Sequence, residues 1–271
     1  MGWFRRNPAP VPAAPPAPAA DGEINIGLRD MALSGWFNGE TGELFTGFPI
    51  SRDDVVLDVG CGDGSKISFC ARQGAHVIFV DVNPERVAQA AARMASSGAR
   101  ELTPIVSNSD PLPLADGSAS RIIASEVLEH LDDPLRVVRE LHRVGRPGAL
   151  YFLTVPGCAS ETVQLQLSGL PPADYFERPN HIRIFSPEEF HKVVSDAGLV
   201  VEASGAHGFY SAIWWLFLRA YGGELVDTNH PAVNLWASTW AALLETQNGE
   251  KIKSALDTVL PRTQWIIARK P

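Results

Sequence analysis

Val55-Val-Leu-Asp-Val-Gly-Cys-Gly-Asp-Gly64 decides how this chain is read. Val55, Val56, Leu57 and Val59 suit a buried strand of a parallel sheet. The glycine run after them is a turn that no side chain can crowd, because glycine tolerates positive φ and lets backbone approach a ligand closely. His76-Val-Ile-Phe-Val80 reads as a second strand and ends on Asp81, seventeen residues after Gly64. A carboxylate at that strand end can hold the two hydroxyls of a ribose. The two features together imply a nucleoside-bearing ligand lying across the carboxyl ends of two parallel strands.

The glycines fall as Gly60-x-Gly62-x-Gly64 with Asp58 before them, whereas nicotinamide enzymes usually show Gly-x-Gly-x-x-Gly. More motifs follow in order. Asn83-Pro84-Glu85 opens a helix, with Asn as N-cap and Pro at the first helical position. Asn108-Ser-Asp-Pro-Leu-Pro-Leu-Ala-Asp-Gly-Ser118 and Ser125-Glu-Val-Leu-Glu-His-Leu-Asp-Asp-Pro134 come next. Gly145-Arg-Pro-Gly148 precedes Ala149-Leu-Tyr-Phe-Leu-Thr-Val-Pro156, and His181-Ile-Arg-Ile-Phe-Ser-Pro-Glu-Glu-Phe190 and Ala197-Gly-Leu-Val-Val201 continue the series. Gln264-Trp-Ile-Ile-Ala-Arg-Lys-Pro271 reads as a last strand.

This ordered set resembles the class I S-adenosylmethionine-dependent methyltransferases over roughly residues 50–206 and 262–271, and is similar to the small-molecule enzymes of the ubiquinone and menaquinone pathways. The resemblance implies an α/β fold: a doubly wound, Rossmann-like, seven-stranded sheet, mostly parallel, with an antiparallel last strand. It implies S-adenosylmethionine as cofactor. Asp58, Gly60, Gly62 and Gly64 would cradle its methionine part, with Cys61 contributing through its backbone. Asp81 would bind the ribose, Val82 would pack on the adenine, and Asn108 with Ser109 would meet the adenine edge. Glu126 would also border the cofactor. Two positions depart from the family pattern. The usual adenine-side Asp is Asn108, which keeps an acceptor oxygen but loses the charge. The usual Phe-Asp pair opening strand four is Ala119-Ser120.

A chain of 271 residues can bury a full core in one domain of this fold. Its formal charge of −8, without a Lys/Arg cluster, argues against a nucleic-acid partner. Cys61, Cys70 and Cys158 form no Cys-x-x-Cys pair and no even framework, which suits reduced thiols in a cytoplasmic protein. Residues 7–20 are a Pro/Ala tract, so residues 1–22 read as an extended, disordered tail. Met1-Gly-Trp-Phe-Arg-Arg6 lacks the apolar stretch of a secretory signal, and Arg6 stands where myristoylation needs Ser or Thr. Trp3, Phe4, Arg5 and Arg6 are a candidate membrane-surface or partner contact, with a plain disordered start as the alternative.

Residues 23–50, with Trp36, Phe37, Phe45 and Phe48 among glycines, read as a lid over cofactor or substrate or as simple packing on the sheet. The core spans 51–206 and 259–271. Strands are expected near 54–59, 76–81, 102–106, 120–125, 149–155 and 199–203, and helices near 65–73, 84–96 and 134–145. Val87, Ala91 and Met94 share one helical stripe, as do Val137, Leu141 and Val144. Asp133-Pro134 and Ser186-Pro187-Glu188-Glu189 are N-cap-plus-Pro helix starts. Residues 207–258 read as an aromatic-rich helical insertion holding Phe209, Tyr210, Trp214, Trp215, Phe217, Tyr221, Trp236 and Trp240. Its run Ile213-Trp-Trp-Leu-Phe-Leu218 is shorter than the roughly 20 residues that span a bilayer. It is a cap, an apolar substrate wall, or a membrane or dimer contact.

Glu126, Glu129 and His130 follow strand four at the sheet's carboxyl edge, where ligands bind. A helix starting at Glu126 would put them on one face. The array resembles one that holds a divalent ion in quinone-pathway O-methyltransferases, but the same run is common across the superfamily without metal, and none is assigned here. His130, His181 and Glu126 are the catalytic candidates, a base being required for a phenol or alcohol acceptor. His181 reads equally as a helix cap, and His207 and His230 as loop residues. The expected function is methyl transfer to a small molecule, at oxygen of an aromatic or partly apolar acceptor, with carbon and nitrogen acceptors open. The rival readings are a non-catalytic S-adenosylmethionine-binding partner subunit and a nicotinamide-dependent oxidoreductase. The oligomeric state is not legible.

Overall fold

The computed structural model describes residues 26–177, 181–220 and 230–271. The Pro/Ala tail with Trp3 to Arg6, the first residues of the lid segment, and Tyr221 lie outside them. The described chain opens with α1 (Ile26–Leu33) and a small antiparallel sheet of β1 (Trp36–Asn38), β2 (Glu43–Phe45) and β3 (Phe48–Pro49). Strand and helix then alternate: β4 (Val55–Val59), α2 (Ser68–Arg72), β5 (His76–Asp81), α3 (Pro84–Met94), β6 (Glu101–Val106), β7 (Ala119–Ser125), α4 (Pro134–Val144) and β8 (Gly145–Pro156). Next come α5 (Cys158–Ser168), the short α6 (Pro172–Tyr175), α7 (Pro187–Asp196) and β9 (Val200–His207). Three helices, α8 (Phe209–Ala220), α9 (Pro231–Leu244) and α10 (Gly249–Val259), lead into β10 (Thr263–Arg269).

The main sheet has the order β6-β5-β4-β7-β8-β10-β9. Strands β4 to β8 pair in parallel, and β10 runs antiparallel to both neighbours, as the sequence led one to expect. β4 is central because Val56, Leu57 and Val59 are buried on both faces: Val56 packs with Phe48, Phe79 and Phe152, and Leu57 and Val59 with Ile122, Leu141 and Leu153. β5 lies on one side of β4 and β7 on the other, so the crevice where the chain changes direction opens above β4.

Local signals set the helix starts. Asn83 Oδ1 accepts from the N–H groups of Glu85 (2.8 Å) and Arg86 (3.4 Å), and Asp133 Oδ1 from that of Arg136 (3.0 Å). Ser186 and Glu189 form a reciprocal capping box. Val87 and Met94, like Val137, Leu141 and Val144, are buried on the expected stripes. The first core helix is shorter than expected, with turns over 65–67 before Ser68. Ser120, in place of the family's Asp, holds β7 to β4: its hydroxyl donates to Asp54 Oδ1 (2.8 Å) and accepts from Val55 N–H (3.0 Å).

Behind β8 and β10, Trp36, Phe45 and Phe48 pack against Phe152. Burial pushes His207 down to about 4, so the neutral ring accepts a 2.6 Å bond at Nε2 from the Trp36 indole. A buried ion cluster ties α1 to the last helices. Lys253 Nζ donates to Asp257 Oδ2 (2.6 Å) and Ser34 Oγ (2.7 Å) and lies 3.5 Å from Asp30 Oδ1. Asp30 also accepts from the Trp240 indole at 2.8 Å, and Asp257 Oδ1 caps α8 by accepting from Gly208 and Phe209 N–H. Tyr210, Trp236 and Trp240 stack around this cluster. Among the described residues no helix is long and apolar enough to cross a membrane.

Removing the ammonium would leave two buried carboxylates facing each other without a cation. Lys253→Met is expected to destabilise the fold by about 3–5 kcal/mol in urea unfolding monitored by circular dichroism.

Candidate active site

The turn between β4 and α2 is shaped by what surrounds it. A Cβ on Gly60 (φ +71°) would come within 2.4 Å of Val127 Cγ2, and one on Gly64 (φ +77°) within 2.8 Å of Ala90 Cβ. Gly62 differs: its Cβ would meet nothing within 4 Å, so it faces open space in the cleft. The turn is held from β5: Gly60 and Cys61 N–H donate to Val80 O (2.8 and 3.0 Å), and Gly62 N–H donates to Asp81 Oδ2 at 3.0 Å. Asp81 Oδ1 accepts from Asn83 N–H at 2.9 Å. Each carboxylate oxygen keeps a lone pair for a further donor. Val82, beside Asp81, is 71% exposed, a large apolar side chain standing at the strand end.

Asp58, Gly60, Cys61 and Gly62 line a cleft of about 190 Å³, together with Trp36, Leu44, Lys66, Ile123 and Ser125. Burial, partly offset by Lys66 and reinforced by Asp81, raises the Asp58 carboxyl to about 7. Burial and the two aspartates push the Cys61 thiol to about 12, so it stays neutral. Lys66 Nζ donates to Ser125 Oγ at 2.8 Å and sits 5.3 Å from the Trp36 ring centroid. Asn108 is exposed, with Oδ1 accepting from Asp110 N–H at 3.2 Å, and Ser109 beside it is buried at φ +64°.

The structure corrects the reading of Glu126, Glu129 and His130 as one helical face. Glu126 sits at φ +57°, and only Leu128–His130 form a single tight 3₁₀ turn. Glu126 therefore turns away: Oε1 accepts from Thr154 Oγ1 at 3.0 Å and Oε2 from Arg262 at 3.4 Å. Glu129 is 1% exposed, and neither of its carboxylate oxygens has a hydrogen-bond partner among the described residues. Burial, then the Glu126 charge, holds its carboxyl well above the usual range. His181 comes to Glu129 because Ile182 N–H donates to Glu129 O at 3.0 Å. His130 Nε2 and His181 Nε2 each lie 4.0 Å from Glu129 Oε1, with the rings 4.9 Å apart. His181 caps no helix, since Ser186 caps α7. His230, expected in a loop, caps α9 by accepting from Ala232 N–H. His207 is buried behind Trp36.

The residues that sequence reasoning missed are Lys66 as a cleft wall, and Glu161 and Arg262. Lys66 follows the glycine turn by two residues and carried a signal as the first cation after it. Glu161 and Arg262 lie outside the quoted motifs and reach the site by packing.

With this geometry in view, residues 57–153 match the family model described as a methyltransferase domain. The ubiquinone biosynthesis O-methyltransferase of Xanthomonas euvesicatoria is 31% identical over 153 residues, covering 54% of this chain and 63% of that protein. Methyltransferase GfsG of Streptomyces halstedii is 30% identical over 164 residues, covering 59% of this chain and 57% of its own. The chain thus spans about three-fifths of the length of these relatives. Among solved structures, geranyl diphosphate methyltransferase in complex with S-adenosylmethionine superposes with a TM-score of 0.54 at 16% identity, covering 82% of this chain and 80% of that one. The [4+2]-cyclase SpnF does so at 0.54 and 19%, covering 88% and 86%. The sheet order and the glycine turn are those of the class I S-adenosylmethionine-dependent methyltransferase fold, and the methyltransferase-domain match lies over residues 57–153 of it. A cyclase on the same fold means that the reaction must be argued from the site.

Asp58 is raised from 3.8 to about 7 on folding, so the folded state binds its proton more tightly than the unfolded chain. The resulting contribution to stability is fully present below pH 3.8 and is lost as pH rises through about 7. Thermal unfolding scans from pH 5 to pH 8 are expected to show this loss, on the order of 1–4 kcal/mol. In Asp58→Asn that component should disappear.

Proposed function

We propose that this chain transfers a methyl group from S-adenosylmethionine to an oxygen of a small aromatic or partly apolar metabolite. The carrying observation is the side-chain-free cradle at Gly62 beside the Asp81 carboxylate and the exposed Val82, joined by polar contacts to a histidine pair. S-adenosylmethionine would supply a methyl group activated by its positive sulfonium. Asp58, Gly60, Cys61, Gly62 and Gly64 would hold its methionine part, and Lys66, steadied by Ser125 and Trp36, would meet the carboxylate there. Asp81 would accept from the ribose hydroxyls, Val82 would pack on the adenine, and Asn108 and Ser109 would border its edge. In the ionised form Asp58 suits the α-ammonium.

His181 takes the proton of the acceptor hydroxyl at Nε2, with His130 beside it. Glu126, expected in catalysis, is occupied by Thr154 and Arg262 and acts as a positioning group. Holding acceptor and methyl donor in register supplies the larger part of the acceleration. The relative whose name records an O-methyltransferase supports oxygen as the acceptor atom. Against a non-catalytic partner subunit stands the open cleft: Trp214 and Trp215 are absent from its walls, and Trp215 lies over Arg262 instead.

A second reading has its own observation. The ligand atoms of Glu129, His130 and His181 lie within 4.8 Å of one another, and the Glu129 carboxylate is buried without a donor. Those residues fit a divalent cation, which would polarise the acceptor oxygen. Activity after exhaustive EDTA treatment separates the two: unchanged turnover leaves His181 as base, and a loss restored by Mg²⁺ or Zn²⁺ makes it a ligand.

Calorimetric titration with S-adenosylhomocysteine tests the cofactor assignment. Micromolar binding is expected in the wild type, weakened roughly 10- to 100-fold in Asp81→Ala by loss of charge-assisted hydrogen bonds. A screen of phenols and catechols follows. There His181→Gln is expected to lower kcat by roughly 10²- to 10⁴-fold while leaving S-adenosylhomocysteine binding intact. A wild type that binds no S-adenosylhomocysteine overturns the reading.

A further inference from the structure

Glu161 belongs to no motif, yet it is 2% exposed at the floor of the histidine cluster. Its Oε2 lies 2.7 Å from His181 Nδ1, while Oε1 accepts from Gln164 Nε2 at 3.1 Å and lies 4.0 Å from Arg262. A buried carboxylate facing an amide N–H and a guanidinium is surrounded by groups that favour its ionised form. An ionised carboxylate only accepts, so the proton at this contact sits on His181 Nδ1. In the neutral ring the other nitrogen is then bare, and Nε2 is the atom turned toward Glu129 and His130.

The backbone is built to put Glu161 there. Gly157 N–H donates to Arg262 O at 2.8 Å, and a Cβ on Gly157 would lie 2.0 Å from Pro261 O. Only glycine lets the start of α5 pass this close to the segment entering β10. The same crossing places Glu161, one turn into α5, and Arg262, one residue past Pro261, side by side. Glu161 N–H donates to Gly157 O at 2.9 Å, fixing that first turn.

We propose that Glu161 is a positioning residue that fixes His181 in the Nδ1–H tautomer and presents a bare Nε2 to the acceptor. This rests on the methyl-transfer reading for its consequence, but not for its geometry. A bare Nε2 is what the acceptor's hydroxyl proton requires, and it is equally what a cation would require. Without Glu161 the neutral imidazole would exchange tautomers and rotate, and a fraction of molecules would present a proton where a lone pair is needed.

The experiment is nitrogen-15 NMR of the histidine rings in the full chain, with the His181 signals assigned by their loss in His181→Gln. The wild type is expected to show His181 as the Nδ1–H tautomer, and Glu161→Gln as a mixture or as Nε2–H. With catechol as first acceptor probe, Glu161→Gln should lower kcat roughly 10- to 100-fold and leave the KM for S-adenosylmethionine unchanged, with partial recovery in Glu161→Asp. A wild-type His181 in the Nε2–H form overturns the proposal without need of any variant or acceptor. So does a folded Glu161→Gln whose His181 tautomer matches that of the wild type. Failure of S-adenosylhomocysteine to bind overturns the methyl-transfer reading instead, and leaves the tautomer measurement to decide on Glu161.

Discussion

Asp81 holds this structure's cleft together. Its two oxygens take the N–H of Gly62 on one side and of Asn83 on the other, so one carboxylate fixes the turn after β4 and the entry to α3. Both N–H groups belong to loops at the end of a parallel sheet, where no strand neighbour exists to satisfy them. The carboxyl group is buried and both its oxygens accept from these N–H groups. Gly60 and Gly64 let the turn sit against Val127 and Ala90 at distances that exclude a side chain.

From that cleft a line of polar contacts runs to the histidines. Lys66 donates to Ser125, whose hydroxyl lies 2.9 Å from that of Thr154. Thr154 donates to Glu126, Glu126 accepts from Arg262, and Arg262 faces Glu161, which holds His181. Its members come from separate parts of the chain: the glycine turn, the end of β7, β8, the start of β10, the first turn of α5 and the loop before α7. Buried polar groups of this kind are costly unless matched, and matched they fix one arrangement. Glu129 is the exception, its carboxyl buried near two imidazoles without a hydrogen-bond partner among the described residues.

Much of this was legible because it is local. The glycines, Asp81, the Asn83, Asp133 and Ser186 caps and the apolar strands each announce themselves within a few residues, since turn and cap chemistry depend on near neighbours. The last strand's antiparallel pairing came through resemblance, and no pattern within Thr263–Arg269 specifies it. The error at Glu126 has a clear cause: Glu-x-x-Glu-His has helical spacing, but a residue at positive φ breaks the period before it begins. Glu161 and Arg262 were invisible for another reason. Nothing near either one signals chemistry, and they meet only because Gly157 lets two chain segments cross.

The sheet order carries a further meaning for how the chain is made. β10 lies between β8 and β9, although it is the last of the three in sequence. As the chain leaves the ribosome, β9 therefore has no neighbour to join until residues 263–269 exist. β4 to β8 can assemble earlier, since their pairings need nothing downstream. At roughly 5–20 residues per second, the helices from α7 to α10 wait seconds with β9 unpaired. Arg262 enters with that same closing strand, so the polar line to His181 is completed only when the sheet is, and a half-made chain holds a cleft but no finished site.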